Sequence, residues 1–165
     1  MLPNIDLRLA NCIKALEEVV IPSLSDGERM AREQALLVIG HLRMIGGQWK
    51  HALRFETASL DAMSALARTI SASDPGFSGE LADALGGIET IDRRDIDTVE
   101  AAICRVGAAI DKAILGDDGT LPLSPAAVAA ILDYGEKQAF RERTWFRLCG
   151  LDPDAGELPA IEAVL

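Results

Sequence analysis

Aromatic residues are scarce in this chain, at 4 % of 165 residues: two Trp, one Tyr and four Phe. A core of this length must therefore be filled by Ala, Leu, Ile and Val, the residues of closely approaching helices. Cysteine is also sparse. Cys12, Cys104 and Cys149 are widely spaced and form no Cys-x-x-Cys pair, which argues against a disulfide framework or a thiolate metal site and for buried, reduced thiols. Cations are outnumbered, 16 Lys and Arg against 26 Asp and Glu, for a net charge of −10. The charges balance through residue 56 and the acidic excess falls wholly after it. Phosphate backbones need clustered cations, so nucleic acid is not an expected partner.

Long apolar runs are missing too. Runs such as Ala35 to Ile39 fall far short of the roughly 20 residues needed to span a bilayer, so no membrane insertion is expected. The first residues, Met1-Leu2-Pro3-Asn4-Ile5-Asp6, lack the basic stretch and apolar run of an export signal, which points to a cytoplasmic protein. The motifs that specify chemistry are likewise absent: no Gly-x-Gly-x-x-Gly, phosphate loop, Ser-x-x-Lys, Gly-x-Ser-x-Gly or spaced Cys/His ligand set. No catalytic residue, metal site or cofactor is assigned.

What the chain does contain is helical spacing. Ser25-Asp26-Gly27-Glu28 has the form of a capping box, in which the Ser25 hydroxyl accepts the Glu28 N–H and the Glu28 carboxylate accepts Ser25's. Beyond it Ala35, Val38, Leu42, Ile45, Trp49 and Ala52 recur at three- and four-residue steps. An earlier helix over about 4–20 carries Ile5, Leu9, Cys12, Leu16 and Val19 and stops before Pro22. The second stripe continues almost in phase through Leu60, Met63, Ala67 and Ile70. Either one long, kinked helix starts near Asp26 and runs to Ser71, or it breaks at Gly46-Gly47 or across Glu56–Ser59.

Residues 71–95 are the most loop-like, with a short helix fitting over 79–85. Helix returns at Asp95 with a seam of Ile96, Val99, Ile103, Val106, Ile110 and Ala113, stopped by Gly116 to Gly119. Ser124-Pro125 is an N-cap followed by the helical position that accepts proline. It opens a last helix to Cys149, ended by Gly150, with a stripe of Val128, Leu132, Gly135, Ala139, Phe146 and Cys149. The expected fold is all-α, a bundle of four to six helices forming one domain over 1–150, with 151–165 as a tail packed on it.

Candidate sites are few. His41 and His51 are the only histidines and fall about 80° apart on a continuous helix, unsuited to an i, i+4 metal pair. Arg32, Arg43, Lys50 and Arg54 share one side of the second helix with Gly40 and Gly47, so they form either an anion-contacting strip or, preferably, a face paired with carboxylates such as Glu17 and Glu18. On the last helix Glu142 interrupts the apolar stripe, and a carboxylate on a packing face must be paired or lie at its edge. Tyr134, Gln138, Arg141 and Trp145 share a neighbouring face of residue types enriched where chains meet. The leading expectation is a non-catalytic module that forms a homodimer or docks on a protein partner. The alternative is a small-molecule binder or enzyme with an inter-helix site around His41, Trp49, Tyr134, Arg141 and Trp145. A ligand-sensing regulator is disfavoured because the chain holds no basic DNA-contacting module.

Overall fold

The computed structural model describes residues 4–116, 123–149 and 152–165. The fold is an all-α helical bundle, with no strand among the described residues. Its helices are α1 (Ile5–Ala15), α2 (Arg29–Gln48), α3 (Ala52–Ser73), α4 (Ser78–Leu85), α5 (Ile96–Leu115) and α6 (Pro125–Trp145). No helix of the described residues is long and apolar enough to cross a membrane. The chain forms two compact units, Met1–His51 with Glu142–Val164, and Ala52–Arg141 with Leu165.

In the second unit, α3 packs on α5 and α4. Leu60, Ala67 and Ile70 from α3, Leu81 from α4, and Val99, Val106, Ile110 and Ala113 from α5 are all at most 5 % exposed. Both stripes expected for α3 and α5 are thus the ones that pack. Local chemistry sets the ends. Asp95 accepts the Asp97 N–H at 3.2 Å and caps α5, while Gly116, at φ 63°, ends it in a conformation that favours glycine. Gly87, at φ 74°, closes the turn after α4, and the Arg105 guanidinium donates to the carbonyls of Ala84 and Gly86 there. Ser124 caps α6 by accepting the Ala127 N–H at 3.2 Å and donates its hydroxyl to Asp74, just past α3, at 2.8 Å. The stops expected at 117–119 and at Gly150 lie outside the described residues.

The first unit departs more from expectation. The first helix does not stop before Pro22 but continues through a π-turn (Leu16–Val20) and one further turn (Ile21–Ser23). Widening the turn accommodates a ring that would otherwise clash with the carbonyl four residues back. Asn4 caps α1 through the Leu7 N–H. Of the capping box, only the carboxylate half forms: Glu28 accepts both the N–H and the hydroxyl of Ser25 at 2.9 Å, and α2 begins at Arg29. The long stripe is interrupted at neither anticipated place. Gly46-Gly47 lies inside α2, Glu56–Ser59 inside α3, and the break is a turn at Trp49-Lys50-His51 in which the His51 N–H meets the Gln48 carbonyl at 2.8 Å.

One expected stripe is split and another faces outward. On α2 Ala35 of the stripe is buried and Leu42 half-buried, with Ile39 the other buried side chain, while Val38, Ile45 and Trp49 are 46 %, 43 % and 36 % exposed. On α6 the stripe of Val128, Leu132, Ala139 and Phe146 lies at the surface, Leu132 being 68 % exposed. The packed side of α6 is the one bearing Ala127, Ala130, Ile131 and Tyr134, roughly 100° around the axis. Glu142 therefore continues an exposed face, which removes the conflict posed by a carboxylate in a core. All three cysteines are exposed rather than buried: Cys12 and Cys149 lie on helical segments that bury no side chain, and Cys104 lies beside the packed residues of α5 and not among them.

Candidate functional site

The candidate residues separate between the units. His41, Trp49, Glu142 and Trp145 belong to the first, and Tyr134, Gln138 and Arg141 to the second.

In the first unit the expected cationic strip is engaged internally. Arg43 pairs with Glu17 and Lys50 with Asp6, both at 2.6 Å, and Arg32 donates to the Leu24 carbonyl at 3.3 Å. These bonds fasten the N-terminal helix to α2. Asp6 also accepts the Trp49 indole N–H at 2.9 Å, with the Lys50 ammonium 5.3 Å from the ring centre. The Lys50 and Trp49 bonds hold the Asp6 carboxyl below the usual carboxylate range. Gly47, read as room for a ligand, is filled by the chain itself, since a Cβ there would stand 2.6 Å from Leu148. Arg54 lies in the other unit, beside the two-pronged ion pair of Arg93 with Asp61.

His41 is exposed on α2, and His51 places Nε2 3.3 Å from Glu162. Among the described residues no three His, Cys, Asp or Glu side chains are grouped to hold a metal. Trp145 lines a recess of about 150 Å³ with Thr144, Arg147 and Glu162, and its carbonyl accepts from the Gln48 side chain at 2.8 Å. The C-terminal segment is tied down by Arg143, bonded to Asp152 at 2.7 and 3.1 Å and to Asp154, and by Arg147, which donates to the carbonyls of Leu158 and Pro159. The Arg143 bonds, with the Asp154 N–H, lower the Asp152 carboxyl.

In the second unit a groove of about 240 Å³ runs between α3 and α6. Its floor is Ala62, Ala65, Leu66 and Ala130, and its polar rim is Thr69, Asp133, Tyr134, Lys137, Gln138 and Arg141. Asp133 and Lys137 pair at 2.8 Å, and half-buried Arg141 donates to the Gln138 side-chain oxygen Oε1 at 3.2 Å. Sequence reasoning found three rim residues from their shared face. It missed the alanine floor, whose small side chains leave no signal of their own, and Asp133 and Lys137, whose i, i+4 spacing was visible. It also missed Glu56, whose carboxyl is pushed up by burial first and then by the charge of Glu100.

The chain matches no family model, no curated protein and no solved structure.

Proposed function

We propose that the protein is a non-catalytic interaction module that pairs with a second copy of itself through the outer face of α2. The observation carrying this is the poverty of the first unit's core. Among its described residues only Ala35, Ile39 and Leu158 are buried apolar side chains, and α1 buries none. A helix of this length is marginal in water without tertiary cover, and three buried side chains offset little of the cost of ordering such a unit.

The missing apolar contact lies at the surface. Met30, Leu37, Val38, Ile45 and Trp49, from 36 % to 69 % exposed, follow one side of α2 and its end for about 28 Å at 1.5 Å per residue. Such a strip reaches the few hundred Å² at which exposed apolar patches mark interaction sites. The polar positions among them are Gln34, His41 and Gln48, none a carboxylate, and Glu33 at the edge of the strip is paired with Arg29 at 2.9 Å. For a chain of net charge −10 a face without carboxylates of its own lets an equally acidic copy approach with little local repulsion. A cytoplasmic location suits such a module and its unpaired, exposed thiols.

Sedimentation velocity across a micromolar dilution series tests the proposal. A concentration-dependent dimer is expected, and a strict monomer at high micromolar concentration would overturn it.

A further inference from the structure

We infer that the groove between α3 and α6 binds a small organic monocarboxylate with a flat apolar body. Three observations converge on this class. The first is charge: Asp133 and Lys137 neutralise one another, while Arg141 has no carboxylate within ion-pair distance among the described residues. Its bond to the Gln138 side-chain oxygen orients the guanidinium without neutralising it. In a chain with 26 carboxylates and 16 cations, a half-buried arginine with no counter-ion among the described residues leaves a local positive charge. The guanidinium fork matches a carboxylate in two parallel hydrogen bonds, better than any other side chain does.

The second observation is shape. All four floor side chains are apolar, and Ala62, Ala65 and Ala130 present only methyl groups beside Leu66, which suits a flat apolar body. The third is size: at about 240 Å³ the space lies below the roughly 300–1,000 Å³ of pockets for drug-sized ligands, which restricts the occupant to a small acid. The site lies wholly in the second unit and does not depend on the pairing proposed for the first.

Tyr134, on the groove's rim, is the only tyrosine in the chain, so protein labelled with 3-fluorotyrosine carries a single ¹⁹F resonance that reports on this groove. Titration with benzoate is expected to shift that resonance saturably, and neutral, isosteric benzamide is expected to leave it in place. Arg141→Gln should weaken benzoate binding at least about tenfold, the scale of losing a charge-assisted hydrogen bond. Arg141→Lys should retain part of it. A benzoate shift that is absent or rises without saturating overturns the inference, as does an equal response to benzamide. So does undiminished binding by a folded Arg141→Gln protein. The benzoate and benzamide comparison on the unmodified chain decides the matter even if that variant does not fold.

Discussion

Replacing Leu37 and Ile45 together by glutamate should dissociate the proposed dimer while leaving the single chain folded. The two positions are 55 % and 43 % exposed, so each copy loses about one side chain's worth of apolar surface available to a partner, and a two-fold pair loses two. Full burial of such a side chain contributes about 1.5–3 kcal/mol, which puts the loss near 3–6 kcal/mol for the pair. Each 1.4 kcal/mol is about tenfold in affinity, so a weakening of at least 100-fold is expected before the repulsion among four new carboxylates is added. The fold should tolerate the change. Both positions are solvated in the isolated chain, and Glu is a good helix former. Sedimentation velocity gives the dissociation constant, and far-UV circular dichroism with a thermal melt at low protein concentration checks the fold. An unchanged dimer in the double variant would refute the assignment of the α2 face. A variant that unfolds even when dilute would show that the two side chains belong to the chain's own core.

Leu60→Ala, at a position with no exposure, should cost about 2–5 kcal/mol by urea denaturation, whereas Leu132→Ala, 68 % exposed, should stay within about 0.5 kcal/mol. The reverse order would mean that the α6 stripe packs inward after all. Ser64 is 2 % exposed and its hydroxyl has no hydrogen-bond partner among the described residues, so Ser64→Ala should stabilise by about 1 kcal/mol through removal of an unpaired polar group and a gain in helix propensity. A destabilised variant would reveal a partner for that hydroxyl. Glu56 titrates above its ordinary value in the folded chain, so the native state holds its proton to higher pH than the unfolded state does, and stability falls as pH rises through that window. Glu56→Gln should therefore raise the melting temperature at neutral pH and have no such benefit below the ordinary glutamate range. A benefit independent of pH would contradict this origin.

Several parts of this molecule were legible in its residues alone. Three- and four-residue spacing marked the helices, and Asp95, Ser124 and Gly116 marked ends that local hydrogen bonds and backbone conformation then enforce. The seams of α3 and α5 were readable because each of these helices concentrates its strongest aliphatic residues on one side, so the hydrophobic effect has one way to turn them. Three rim residues of the groove were visible as a shared face, but its floor was not, because an alanine on α3 carries no mark of the helix opposite it.

The packed sides of α2 and α6 were settled only by tertiary contact. Each of these helices has two sides apolar enough to bury, and periodicity cannot choose between them. On α2 Ile39 goes inward and Val38 outward, with Arg43, and Lys50 just past the helix, meeting Glu17 and Asp6 of the N-terminal helix. The turn after α2 likewise places Trp49 and Lys50 where both reach Asp6, more than forty positions earlier in the chain. Spacing along a chain fixes which residues share a side of a helix. Which side is covered depends on what other segments bring to it, and that is decided where distant residues meet.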